Sequence, residues 1–257
     1  MKVTLLGTGT STGVPVLTCD CAVCTSTSPR DRRTRTSALL EDADHSILID
    51  CGADFREQAL AAKLARVDAV LLTHGHADHT AGLDDLRMYN FRQKIALPLH
   101  GNEETLNDIR KRFDYCFRDD VQFGGGLPQF ALNNVTAPFD VKGVRVIPIL
   151  VFHGRLPILG FRIGDFAYIT DASEIPEESF ALLRGVRTLV LNALRHRPHP
   201  THFSVAQALE AAKRIGAQQT WFTHITHDLM HDATNAELPP ECQLAYDGLS
   251  FEINPVA

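Results

Sequence analysis

The chain has 257 residues, 44% of them hydrophobic and 22% charged, which is enough to bury a sizeable core and sits at the upper edge of what one α/β domain uses. Its 25 Lys and Arg against 31 Asp and Glu leave a formal charge of -6, so no broad positive field is available to grip a nucleic-acid backbone. No apolar stretch approaches the roughly 18 residues of a membrane-spanning helix, and MKVTLLGTG breaks at glycine before a signal-peptide core develops. These features predict a soluble, cytoplasmic, single-domain protein over residues 1–257, with neither a membrane nor stably bound nucleic acid as partner. The 12 histidines beside 6 cysteines are the unusual entry in the composition, because these two residue types ligate most transition metals.

In chain order, Lys2–Leu6 reads as a strand running into the glycine-rich loop GTGTSTGVP at 7–15. Ala38–Leu40 and Ile47–Asp50 read as strands, and Ala53–Leu64, free of Gly and Pro, as a helix. Ala69–Leu72 is a short apolar run of the kind found in strands buried on both faces, and it ends in THGHADH at 73–79. A helix at Glu103–Phe113 and a Gly-rich turn at Gly124–Gly126 suggest a wall or lid within an irregular middle. Strands follow at Val144–Ile149, Ile158–Ile163, Ala167–Thr170 and Thr188–Leu191, with a helix at Pro176–Leu183. Ser204–Ile215 then reads as a helix and Gln219–Phe222 as a strand that ends in THITH at 223–227. Gln243–Tyr246 and Leu249–Ile253, joined by Asp247-Gly248, carry a hairpin signal. Each half of the chain thus places a histidine motif after a buried strand, which predicts two sheets whose strand ends meet at one site.

The densest chemistry is His74-x-His76-x-Asp78-His79. In a loop leaving a strand, alternate residues point the same way, so His74 and His76 reach one ion while Asp78 and His79 turn toward a second. Two ions need further ligands, and His153, Asp171 and His224 each lie just past an apolar run. Cys19-x-Cys21-x2-Cys24 is too tight for a disulfide framework; three thiolates lack one ligand for a tetrahedral structural zinc. Spacing does not identify the fourth, although His227 is attractive because it lies three residues after His224. Cys51, Cys116 and Cys242 read as small buried residues.

With HxHxDH, a downstream His, an Asp and a final His in this order, the sequence resembles the metallo-β-lactamase superfamily across almost the whole chain. The resemblance implies an α/β fold, an αββα sandwich of two mixed sheets with helices on the outer faces. It implies one metal on His74, His76 and His153, a second on Asp78, His79 and His224, and Asp171 bridging them, with Asp50 supporting a liganded histidine. The GTGTSxGVP loop, the Cys-x-Cys-x2-Cys cluster and the TH-x2-H ending narrow the likeness to the phosphoribosyl cyclic phosphodiesterase branch of the carbon-phosphorus lyase pathway. By that likeness Cys19, Cys21, Cys24 and His227 hold a structural zinc, and His202 in HPTHFSV protonates the leaving group, with His196 and His199 in the same loop. Two divalent ions (zinc, manganese or iron) then activate a water toward a small anionic phosphodiester, and Asp78 serves as a proton acceptor. Thioesterase or β-lactamase chemistry and tRNA 3'-end cleavage are the competing activities on such a metal core. Relatives in this branch often pair as dimers, and no stripe of residues here argues for or against a homodimer.

Overall fold

In the computed structural model, residues 1–118 and 126–256 are described. The first sheet is built from β1 (Lys2–Gly7), β2 (Ser37–Glu41), β3 (Ser46–Ile49), β4 (Ala69–Leu71), β5 (Leu97–Gly101) and β6 (Phe130–Asn134). The second takes β7 (Phe139–Val141), β8 (Val144–His153), β9 (Leu156–Ile163), β10 (Phe166–Ile169), β11 (Thr188–Asn192), β12 (Gln219–Thr223) and β13 (Cys242–Leu244). The last strand, β14 (Ser250–Glu252), returns to pair antiparallel with β1, giving the orders β14-β1-β2-β3-β4-β5-β6 and β13-β12-β11-β10-β9-β8-β7. Both sheets are mixed: β3, β4, β5 and β6 run parallel, as do β10, β11, β12 and β13.

The alternation of side chains along each strand sorts the core into three layers. Leu40, Ile47, Ile49 and Leu71 face Val146, Phe161, Phe166 and Val190 between the sheets. Their neighbours Leu39, Leu48 and Val70 point outward instead, onto Phe55 of α1 (Phe55–Ala61). The short α2 (Ala77–Thr80), α3 (Arg87–Gln93) and α4 (Glu103–Arg112) follow in the first half, and Ile109 of α4 joins that same outer layer. In the second half come α5 (Glu177–Leu182), α6 (Val205–Ile215) and α7 (His231–Glu237); Val205, Ala208 and Ala212 of α6 cover the outer face, with Leu189, Leu191 and Phe222 beneath. The architecture is the αββα sandwich.

α6 shows how local sequence fixes an element beside the site. Ser204 caps it, accepting from the Gln207 backbone N–H at 3.4 Å, while Gln207 Oε1 accepts from the Ser204 N–H at 2.9 Å. Gly216 ends it in the left-handed conformation, φ 74°, where a Cβ would be strained. The helix start is therefore pinned two residues after His202.

Three sequence expectations are corrected. Asp247-Gly248 does not close a hairpin, since β13 and β14 lie in different sheets. The Asp247 carboxylate instead accepts from Thr8 Oγ1 at 2.8 Å and from the Thr34 N–H and Oγ1 at 2.7 Å each, which turns the chain across to the first sheet. The irregular middle contains β5, β6 and β7, so it completes both sheets; of the Gly-rich turn, residues 124 and 125 lie outside the described residues, and Gly126 packs against the Phe91 ring. β8 runs past Ile149 to His153, beyond its pairing with β7, where the missing N–H of Pro148 is tolerated on a strand bonded along one side.

Candidate dinuclear metal centre

The candidate residues gather where the two sheets present their strand ends to each other. Asp50 follows β3, His74 and His76 follow β4, His153 ends β8, Asp171 follows β10, and His224 follows β12. Asp78 and His79 do not continue as an extended loop: they lie in α2, and the His79 ring comes within 4.3 Å of the His74 ring, centroid to centroid. Asp50, Asp171 and His224 all have positive φ, at 59°, 58° and 56°. Such a conformation costs a non-glycine residue about 1 kcal/mol, and it swings the chain sharply off the strand end. That three site residues share it marks a backbone shaped around the side chains it must present.

Two donor sets result. The ligand atoms of His74, His76 and His153 all lie within 4.8 Å of one another, as do those of Asp78, His79, Asp171 and His224. His74 Nε2 sits 2.9 Å from His76 Nδ1. Asp171 faces both sides of the second set: Oδ1 is 3.1 Å from His224 Nε2, and Oδ2 is 3.3 Å from His79 Nε2. Asp78 Oδ2 is 3.2 Å from His79 Nε2 and 3.6 Å from His224 Nε2. Supporting bonds fix which nitrogen each ring offers. His79 Nδ1 donates to Asp50 Oδ2 at 2.7 Å, and Asp50 in turn accepts from the Thr73 N–H and Oγ1, both at 2.8 Å. His153 Nδ1 donates to the carbonyls of Asp171 and Thr201 at 2.9 and 2.8 Å, and Thr170 Oγ1 donates to Asp171 Oδ2 at 2.6 Å.

The residues present fit divalent metal ions. His79 Nε2 and both His224 ring nitrogens are buried and have no hydrogen-bond partner, a costly arrangement unless a cation meets them. Burial, followed by the charge of His79, pushes His74 well below the ordinary imidazole range and keeps it in the neutral ligand form. Burial opposes charge on His79, yet Asp171, Asp50 and Asp78 together push it well above that range. These carboxylates hold a positive charge at the position where a divalent cation would supply one. Mixed imidazole and carboxylate donors suit zinc, manganese or iron.

Cys19, Cys21, Cys24 and His227 form a second cluster, their sulfurs 3.2, 3.6 and 3.4 Å from His227 Nδ1. The Cys24 backbone N–H brings Cys21 down to about 7, whereas burial pushes Cys24 up to about 11. Three sulfurs and one imidazole nitrogen form a donor set that fits a tetrahedral metal ion. The glycine-rich N-terminal loop packs against the segment joining the clusters: Thr10 N–H donates to the Ile225 carbonyl at 3.1 Å, and the Ile225 N–H to the Thr8 carbonyl at 3.0 Å.

His202 stands at the edge of the centre, Nε2 3.0 Å from Asp171 Oδ1, close enough to His153 and Asp171 to form a third group of possible ligands. Burial brings it down to about 4 against the opposing pull of Asp171. His199 Nδ1 lies 3.1 Å from His202 Nδ1, and His196 is exposed. A hollow of about 230 Å³ opens beside His74 and His76, walled by Asn102, Glu104, Asp108 and Leu156, while two larger cavities of about 550 and 530 Å³ lie by α1, away from these ligands. The expectations above assigned nothing to the threonines. Yet Thr73, Thr170, Thr201 and Thr223 each immediately precede His74, Asp171, His202 and His224, a repetition visible in the sequence.

A family model described as the beta-lactamase superfamily domain matches residues 45–225. The chain belongs to that superfamily, with the metallo-β-lactamase sandwich as its fold and a metal-dependent hydrolase as its class. Within it the chain falls in the PhnP-like branch. A solved structure of a diphosphatase from the PhnP family is 43% identical with a TM-score of 0.91, covering 97% of this chain and 96% of that one. A ribonuclease Z of Mycobacterium sp. (strain KMS) is 29% identical over 87% of this chain and 84% of its own length. An octanoyltransferase of Porphyromonas gingivalis is 42% identical over 99% of this chain, which spans about half (52%) of that longer protein.

Proposed function

We propose that this protein hydrolyses a small, cyclic, phosphoribosyl-type phosphodiester to a phosphomonoester.

Asp171 groups with Asp78, His79 and His224 on one side and with His153 and His202 on the other, and this arrangement carries the reading. Likeness to the PhnP-family diphosphatase supports it. His74, His76 and His153 would hold one ion, Asp78, His79 and His224 the other, and Asp171 both. Divalent ions so held supply an activated water and neutralise charge on the phosphoryl oxygens. Asp50 and the carbonyl of Thr201 keep His79 and His153 in the ligand tautomer. Asp78 accepts a proton, and His202 delivers one to the departing alkoxide, a poor leaving group without it. The small hollow beside His76 favours a compact ester over a polynucleotide.

We read residues 1–257 as one hydrolase domain, because β14 closes on β1 and joins both ends of the chain in one sheet. No helix among the described residues is long and apolar enough to cross a membrane, and the unpaired thiols of Cys51, Cys116 and Cys242 fit a reducing cytoplasm. Neither a homodimer nor a nucleic-acid partner is part of the proposal.

The test is a substrate panel on metal-loaded protein: bis(p-nitrophenyl) phosphate, ribosyl 1,2-cyclic phosphate, nitrocefin, a glutathione thioester, an octanoyl thioester and tRNA. Metal-dependent turnover of the first two is expected. Turnover of the carbonyl esters alone, or cleavage of tRNA alone, would overturn the reading. His202→Ala should keep its metals and lose about 100-fold in rate; equal loss of metal would make His202 a ligand.

A further inference from the structure

β11 lies between β10 and β12 and runs parallel to both. Those two strands lead into Asp171 and His224, whereas β11 ends at the fully buried Asn192. The Asn192 carboxamide closes on a single residue: Oδ1 accepts from the Ala172 N–H at 2.8 Å, and Nδ2 donates to the Ala172 carbonyl at 2.9 Å. Chemistry fixes the orientation of the amide, because a backbone N–H only donates and a carbonyl only accepts. Ala172 directly follows Asp171, whose φ of 58° is costly for a residue with a side chain and persists only where the surroundings hold it. The same Ala172 carbonyl accepts from the Phe203 N–H at 2.8 Å, and Phe203 directly follows His202. One buried side chain therefore grips the backbone next to Asp171 at the point where the segment carrying His202 is also tied.

We infer that Asn192 is a positioning residue: it holds the left-handed turn at Asp171 and so sets that carboxylate against His79, His224 and His202. The clamp is itself anchored to the strand that presents His224. Asn192 pairs in register with Thr223, and the Thr223 carbonyl accepts from the Ala193 N–H at 3.0 Å. An apolar side chain at 192 would leave the buried Ala172 N–H without its acceptor, a penalty the chain escapes by letting the turn relax and the carboxylate move. The Ala172 carbonyl would keep its bond from Phe203, so the damage would fall on the Asp171 side of the clamp. The inference rests on the reading of Asp171 as a metal ligand, which the same experiment tests separately.

Asn192→Leu keeps the approximate shape and removes both hydrogen bonds. Leu189→Ala, a cavity in the same strand at the end away from the site, serves as a control for lost stability alone. Zinc and cobalt affinities of the full chain are read by competition with a chelator, and the cobalt absorption bands report the geometry around the ion. Asn192→Leu should weaken binding at the dinuclear centre by about tenfold or more and shift the cobalt bands, with the thiol cluster unchanged. Leu189→Ala should lower Tm, keep the wild-type bands and stay within about threefold of wild-type affinity. Asn192→Ser, whose hydroxyl is too short to bridge both Ala172 groups, gives the same readouts if the leucine variant does not fold. Wild-type affinity and bands in Asn192→Leu, or an equal loss in Leu189→Ala, would overturn the inference while Asp171→Ala still weakens binding. Wild-type affinity in Asp171→Ala would instead remove Asp171 as a ligand, and the role given to Asn192 would fall with it.

Discussion

The two metal-competent clusters are built in opposite ways. The thiol cluster draws Cys19, Cys21 and Cys24 from six consecutive residues and adds one distant ligand, His227; its Cys19, Cys21 and His227 are partly exposed. The dinuclear centre takes its donors from the ends of β4, β8, β10 and β12 and from α2, and His74, His79, Asp171 and His224 are buried. Its rings are held by Asp50, Thr201 and the Asp171 carbonyl, and its backbone by positive φ at three positions. The candidate dinuclear centre is thus shaped by the packing of two sheets, whereas the thiol cluster is shaped by one short loop and a single distant histidine.

That contrast can be broken in several ways. Asp171→Ala should lower kcat/KM on a phosphodiester by about 1000-fold and reduce bound metal by elemental analysis, while metal at the thiol cluster stays. Asp50→Asn removes the acceptor that orients His79 and should weaken metal binding by about 10- to 100-fold in a competition titration, again with the thiol site unaffected. Equal metal loss at both sites would mean that the clusters are not independent.

The buried His231 imidazole, near the anchor of the thiol loop, couples stability to pH. The His231 backbone N–H donates to Asp31, whose other oxygen accepts from Ser26 near the loop, and burial followed by Arg33 and Arg30 brings the imidazole down to about 4. A folded value below the unfolded one means that the unfolded chain binds the extra proton first. The stability contributed is full above about pH 6.5 and is lost as pH falls toward 4, on the order of 2 kcal/mol by pH 5. Urea midpoints at pH 7 and 5 should therefore diverge more in the wild type than in His231→Gln. The smallest effect on rate belongs to Cys21→Ser, which should cost less than about tenfold in kcat yet lower Tm and open residues 15–31 to protease.

HxHxDH and the Cys cluster were legible because their residues are neighbours in sequence, and the apolar run before HxHxDH announces a buried strand. The strands β5, β6 and β7 were not, because short strands completing a sheet are stabilised by partners far away in the chain. Asp247-Gly248 misled for the same reason: its carboxylate is satisfied by Thr8 and Thr34, which no local pattern reveals. The threonines before the ligands were in plain view, but their role depends on which ring lies opposite.

By itself the sequence determined the ligand types, their order and the alternation that makes two buried sheets, since these follow from side-chain chemistry and the period of a strand. Only the tertiary structure decided which donors share an ion, which nitrogen each ring offers and what Thr201 touches. Those choices are set within a few ångströms by groups as far apart in the chain as Cys19 and His227, 208 residues, and proximity of that kind exists only once the chain has packed.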